Sequence, residues 1–445
     1  MTQRRLPPAT TSLVASFLIL VAIGTALFVL PVCAAGERPL GFVDALFTAT
    51  SAVCVTGLTT ITVSSDLSLF GQIVLLALIQ VGALGIGVLS IALLLAAGRA
   101  SLQSQAAAGQ QLAAVGVNPL RLVSWVVGIT AFCEAAGTVA LLAAIDGEAE
   151  PWPALFHSVS AFCNAGFSLY PDSLERFAAS PGVLTIFATL IAVGGLGFLV
   201  LREIVLWMRS LVRHGKPRLM LHSRAVLLAS MVLWIGGALV FALLENGAAF
   251  ADVPLVTQMD GAVFQSVTAR TAGFNSIDIG ALRSVTLFAL MLLMFVGGAP
   301  GGVAGGVKVT TIVVVLAALR AWIRGSTTVW VFQRTIPTHV VRRSFALLAF
   351  SAMFVTLVIG VLLATQDGLD AGSDHALAIA FEAVSAFGTV GLSTGITPEL
   401  TAIGKVTLVV TMLVGRVGPL VFAVTVLRPR PAPPFEYPEE EMATG

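Results

Sequence analysis

Ser51-Ala-Val-Cys-Val-Thr-Gly57, Ser160-Ala-Phe-Cys-Asn-Ala-Gly166, Thr268-Ala-Arg-Thr-Ala-Gly273 and Ser385-Ala-Phe-Gly-Thr-Val-Gly391 are four renderings of one short segment. Each is a Ser/Thr-Ala step running into a closing glycine, and each follows a phenylalanine: Phe47, Phe156, Phe264 and Phe381, at spacings of 109, 108 and 117 residues. One chain therefore supplies four quasi-equivalent loops. In a membrane, four carbonyl-lined loops around one axis are what a potassium filter requires.

With 57% hydrophobic residues, 11% charged residues and 43 glycines in 445 residues, the composition is that of a polytopic membrane protein. Eight stretches are apolar for long enough to cross a hydrocarbon layer that needs about 20 helical residues. They are 12–32, 67–97, 122–145, 181–207, 225–244, 284–323, 344–364 and 404–427. The first is too long for a cleavable signal peptide and leads directly into the first repeated segment. Of the 24 basic residues, 17 fall at the N-terminus and in alternate loops, against Arg38, Arg176, Arg283 and Lys405 on the opposite side. That bias predicts both termini in the cytoplasm. The outer loops are acidic, Glu175, Glu245 and Asp278 among them, which reads as solvated loop charge or as a modest concentrator of cations. Cys33, Cys54, Cys133 and Cys163 show no CxxC pairing and read as small buried residues. The spans carry no paired acids, Ser/Lys dyad or metal-binding cluster, so neither an enzyme nor a nucleic-acid binder is expected.

Between the spanning stretches lie four half-length apolar runs, 45–52, 154–162, 261–269 and 376–387, too short to cross. Each reads as a pore helix entered at Asp44, at Pro151 with Pro153, at Asp260 and at Asp374, residues suited to a helix N-terminus. Its C-terminal end then aims partial negative charge at mid-membrane. The closing glycines Gly57, Gly166, Gly273 and Gly391 supply a dihedral reversal at no steric cost. The filter candidates are Cys54, Val55, Thr56 and Gly57; Cys163, Asn164, Ala165 and Gly166; Arg270, Thr271, Ala272 and Gly273; and Gly388, Thr389, Val390 and Gly391. Potassium would be the metal held by their carbonyls. The competing reading treats these glycines as packing residues between membrane helices.

The sixth stretch is broken by Gly297-Gly-Ala-Pro-Gly-Gly-Val-Ala-Gly-Gly-Val-Lys308, which no regular helix accommodates. Irregular backbone at that depth must be buried in protein or line a wet cavity, so Gly297, Gly298, Pro300, Gly301, Gly302, Gly305, Gly306 and Lys308 are expected to form a gate beneath the filter, a passive kink being the alternative. Arg416 lies about 18 Å from the cytoplasmic Arg428 along a helix, too deep for easy snorkelling. It is expected to face the 297–306 loop, with an ion pair to Glu134 as the alternative. Arg270 is expected to brace the third filter segment from behind, with Glu382 as a candidate partner.

These motifs together resemble the superfamily of Trk, Ktr and HKT potassium transporters, over residues 12 to 427. The resemblance implies an all-α membrane protein of four helix-pore-helix repeats and eight spanning helices about one pseudo-fourfold ion pore. The repeats would cover 1–120 (filter 51–58), 121–222 (filter 160–167), 223–343 (filter 268–274, gating loop 297–308) and 344–428 (filter 385–392), followed by a cytoplasmic tail, 429–445. The first filter follows the first spanning helix, which looks like the KtrB type of membrane subunit. Such subunits form homodimers in the plasma membrane, among lipid, on a cytosolic KtrA-like ring of RCK-type regulatory subunits that bind ATP or ADP, and sodium promotes their K⁺ uptake. No organic cofactor is implied on this chain. The alternative function is a Na⁺-coupled secondary cation symporter, for which inverted repeats would be the signature.

Overall fold

The computed structural model describes residues 9–36, 39–85, 119–145, 150–212, 219–251, 253–366 and 373–418. Parts of the expected spans 67–97 and 404–427, the basic run 213–218, and the tail 429–445 lie outside the described residues. The described chain is helical apart from one small antiparallel hairpin, Trp330–Val331 with Arg334–Thr335.

Four short helices form the centre: Phe42–Cys54, Pro151–Phe162, Leu255–Thr268 and Ser373–Gly388. Their phenylalanines Phe47, Phe156, Phe264 and Phe381 are at most 1% exposed, so the residues that mark the spacing in sequence are also the inner core. Pro151 opens its helix at a position where the missing N–H costs nothing. The third helix begins at Leu255, directly after Pro254, well ahead of the expected start at Asp260, because Pro254 already sets an extended entry.

Longer helices surround them. Among the described residues three can cross a membrane by length and composition: Val123–Ala144, Leu221–Glu245 and Thr338–Thr365. They turn large apolar side chains outward, Leu243 at 75% and Met353 at 64% exposure, as lipid-facing helices do and water-facing ones do not. The expected continuous span 181–207 is not continuous. Pro181–Gly195 and Phe198–Val212 meet at 103°, across Gly197, whose positive φ of 85° a glycine adopts freely. The sixth stretch divides as expected into Ser284–Phe295 and Val309–Ile323.

A second set of packing contacts closes the assembly. Leu69–Leu84 packs on Pro151–Phe162, Pro181–Gly195 on Leu255–Thr268, Ser284–Phe295 on Ser373–Gly388, and Ala402–Val417 returns to Phe42–Cys54. Each helix following a short one thus leans on the next short one round a closed cycle. Two of these helices share a start signal: Ser68 and Thr401 each accept from the backbone N–H of a glycine three residues on, at 3.2 Å. Lys405 Nζ lies 3.0 Å from Asp44 Oδ1, fixing the start of the last helix beside the first short helix. Glu245, expected as a solvated loop acid, is fully buried. It accepts from the Thr286 hydroxyl and from the Arg283 N–H at 3.2 Å, which ties the top of Leu221–Glu245 to the start of Ser284–Phe295.

Candidate functional site

The four segments after the short helices converge. A methyl group built on Gly57 would lie 3.0 Å from the Cα of Gly166, one on Gly166 would lie 3.0 Å from Gly273, one on Gly273 would lie 3.0 Å from Gly391, and one on Gly391 would lie 3.0 Å from Gly57. The same four methyls would press on the carbonyl oxygens of Ala165, Ala272, Val390 and Thr56 in turn. Four glycines and the four carbonyls before them therefore make one closed ring, wide enough for backbone alone. Packing glycines between helices would not close a cycle of this kind.

Backbone dihedrals repeat around the ring. Two residues before each glycine, Val55, Asn164, Thr271 and Thr389 have positive φ of 57°, 56°, 71° and 48°, and the glycines have 98°, 69°, 80° and 95°. Thr56, Ala165, Ala272 and Val390 between them keep negative φ. In an extended strand successive carbonyls point to opposite sides; alternating the sign of φ turns them to the same side. Left-handed Val and Thr cost about 1–3 kcal/mol each and persist only where the surroundings over-determine them. The sequence held no signal for them, since β-branched residues argue against that conformation.

The strain is held by the hydroxyls of the Ser/Thr-Ala steps. Ser51 Oγ and Ser385 Oγ accept from the N–H of Gly57 and Gly391, both at 3.1 Å. Ser160 Oγ and Thr268 Oγ1 instead donate to the carbonyls of Phe167 and Phe274, at 2.8 and 2.7 Å. Behind the second segment, the His157 ring bonds Ser168 Oγ at 2.9 Å and stacks on Tyr170 with centroids 4.6 Å apart. Cys54 and Cys163 are buried beside the ring, and Cys163 Sγ donates to Gln80 Oε1 at 3.3 Å.

Glu382 does not meet Arg270. Its buried carboxylate accepts from Ser393 Oγ at 2.6 Å, the Thr394 N–H at 3.0 Å and Thr397 Oγ1 at 2.8 Å, pinning the chain that leaves the fourth segment. Glu382→Ala strands these donors and is expected to cost about 1–3 kcal/mol of stability, read as a lowered melting temperature in detergent, while Glu382→Gln keeps an acceptor and most of the stability. In the loop after the second segment, hydrogen bonds from Arg176 hold the Asp172 carboxyl below the usual carboxylate range. Partial burial, then the charges of Asp278 and Asp172, push that of Glu175 up. As pH falls, Glu175 therefore loses its charge before Asp172 does.

The glycine-rich stretch 296–308 is a loop with a paired neck. Gly297 N–H donates to Val307 O at 2.9 Å and Val309 N–H to Gly298 O at 3.1 Å. Gly305 and Gly306 lie against Gly388 and Thr389 of the fourth segment. The other side of the loop meets the break in the bent helix, Ala299 N–H to Gly195 O at 3.2 Å and Phe198 N–H to Gly301 O at 3.3 Å. Gly302 approaches Gly197 there, and Pro300 is half-buried beside it. Lys308 Nζ folds back onto its own loop, 2.5 Å from Ala304 O. Arg416 donates Nη1 to Val303 O and Nη2 to Gly82 O, the latter at 2.6 Å. It therefore meets the loop through one carbonyl and the end of Leu69–Leu84 through the other, and Glu134 is not its partner; Glu134 Oε1 lies instead 3.7 Å from Cys163 Sγ.

Sequence reading missed a second fourfold pattern. Val81-Gly82, Val193-Gly194, Val296-Gly297 and Val414-Gly415 stand where the second helices end, followed by positive-φ glycines at Gly85, Gly197, Gly301 and Gly418. Gly82, Gly194 and Gly415 press on the carbonyls of Val53, Phe162 and Phe387, the last turns of the short helices, where no side chain fits. The Val-Gly pairs were visible in the sequence but hidden among 43 glycines.

A family model described as TrkH, cation transport protein, matches residues 1–433. The chain belongs to the TrkH family. Among relatives at full length, the potassium/sodium uptake protein NtpJ of Enterococcus hirae is 35% identical over 100% of this chain and 98% of its own. Ktr system potassium uptake protein B of Vibrio alginolyticus is 37% identical over 97% and 93%, and its namesake in Bacillus subtilis 34% over 99% and 97%. The crystal structure of the potassium transporter TrkH from Vibrio parahaemolyticus shares the fold, with a TM-score of 0.73 at 21% identity over 96% of this chain and 86% of that one. Members of this family are transporters and not enzymes.

Proposed function

We propose that this chain takes up potassium across the plasma membrane through the four-segment ring, which acts as a selectivity filter, with loop 297–308 and Arg416 closing the path from the cytoplasmic side. The observation that carries this reading is the closed cycle of Gly57, Gly166, Gly273 and Gly391 with the carbonyls of Thr56, Ala165, Ala272 and Val390. Oxygens so placed replace an alkali ion's hydration shell. Four short helices end at the ring, and their C-terminal dipoles favour a cation there. In this reading eight helices span the membrane in four helix-pore-helix units with both termini cytoplasmic; the Lys405–Asp44 pair agrees with the outer assignment of both residues.

Relatives named as parts of a Ktr system support a multi-component assembly. We place this chain as a homodimer on a cytosolic RCK-type ring that binds ATP or ADP, with sodium as an activator. The test is rubidium uptake into proteoliposomes. Rubidium entry is expected to be competed by potassium and stimulated by sodium, without sodium entry. The name of the Enterococcus hirae relative includes sodium, which favours a second reading, sodium-coupled symport. Sodium entering in fixed proportion to rubidium would decide for that reading.

A further inference from the structure

The third ring segment departs from the other three. It is one residue shorter between its hydroxyl and its glycine, and it carries Arg270 where the others carry Cys54, Cys163 and Gly388. Arg270 is 5% exposed. Its guanidinium donates Nη2 to Gly297 O at 3.0 Å and lies 5.7 Å from the centroid of Trp234, while its Nε has no partner. Among the described residues no carboxylate forms an ion pair with it. Gly297 is the first residue of the intramembrane loop, and its own N–H is bound at the loop neck by Val307.

We infer that Arg270 is a strut joining the third ring segment to the base of the intramembrane loop, so that an ion seated in the ring biases the position of the loop. The link is short. Arg270 immediately precedes Thr271, whose left-handed backbone turns the carbonyls of this segment to one side, and its side chain ends on Gly297 at the paired neck of the loop. Swinging the loop while the ring stays fixed would leave a buried guanidinium without its acceptor, which costs more than losing a neutral hydrogen bond. The indole face of Trp234 limits where the guanidinium can go instead. Loop and segment therefore rearrange together. Arg270 acts through the loop as a positioning residue, and this role rests on the filter-and-gate reading above.

The test is hydrogen exchange of the peptide covering 296–308 in lipid nanodiscs, in potassium and in choline. For the unaltered protein the loop is expected to exchange about tenfold more slowly in potassium, as a coupling worth one charged hydrogen bond gives. Arg270→Gln should abolish that ion dependence, and Arg270→Lys, which keeps a cation but loses the planar fork, should at least halve it. An Arg270→Gln protein that responds to potassium as the unaltered one does overturns the strut and leaves the filter-and-gate reading standing. If Arg270→Gln does not fold, an undiminished response in Arg270→Lys overturns it equally. Absence of any ion dependence in the unaltered protein also overturns the strut, while failure of rubidium uptake is what would remove the filter-and-gate reading on which it rests.

Discussion

Gly273→Ala abolishes rubidium uptake while the protein still folds and elutes as the unaltered protein does. At φ +80° an alanine carries an intrinsic penalty of about 1–2 kcal/mol. The larger cost is steric, because its methyl would lie 3.0 Å from the Cα of Gly391 and press on Val390 O, both backbone atoms that cannot swing aside. The fourth segment must retreat, and the oxygen cage loses its fit for a dehydrated cation. Since the ring is cyclic, alanine at Gly57, Gly166 or Gly391 is expected to act alike. Uptake should fall by at least about a hundredfold, the effect of some 3 kcal/mol on ion entry. Gly128 and Gly236, which have open space around them, are the controls, and alanine there should leave uptake unchanged. Retained uptake in Gly273→Ala would show that the ring is not the path.

Arg416→Ala raises the maximal rate of uptake. Arg416 bonds two carbonyls at once: Val303 in the loop and Gly82 at the end of Leu69–Leu84. Hydrogen bonds from a charged donor contribute about 1.5–3 kcal/mol each, so removing both frees the loop from two neighbours by an amount able to shift its equilibrium strongly toward open. It also removes a positive charge that, in the proposed reading, lies on the path beneath the ring and opposes cation passage. Several-fold faster rubidium flux with unchanged potassium competition is the expected result. Arg416→Lys, with one ammonium in place of a fork, should fall between the two. A slower Arg416→Ala protein would mean that the guanidinium holds the path open.

How much of this was legible in the sequence depended on what kind of physics each residue obeys. The four segments, the glycine-rich loop and the approach of Arg416 to it could be read because a fourfold spacing, a glycine cluster and a buried charge have few physical interpretations in an apolar chain. The left-handed Val55, Thr271 and Thr389 could not, because that strain is imposed by the surrounding short helices and hydroxyl anchors, not by residue preference, which favours the conformation only at Asn164. The 103° bend at Gly197 was missed because Gly-Gly-Leu-Gly at 194–197 sits within an unbroken apolar run, where hydropathy gives no sign of a corner. Opposite charge suggests Arg270 and Glu382 as partners, but in the structure the Arg270 Nη2 goes to the Gly297 carbonyl and Glu382 to three donors of its own.

The two ways of anchoring the ring have a consequence for its symmetry. In the first and fourth segments the serine hydroxyl takes up a glycine N–H, whereas in the second and third the hydroxyl occupies a lone pair on Phe167 or Phe274, the carbonyl one step beyond the glycine. A ligand in that layer meets two oxygens already engaged by a hydroxyl, both on neighbouring segments. The four oxygens of that layer are therefore not equivalent, and it should hold an ion more loosely than the glycine layer beside it.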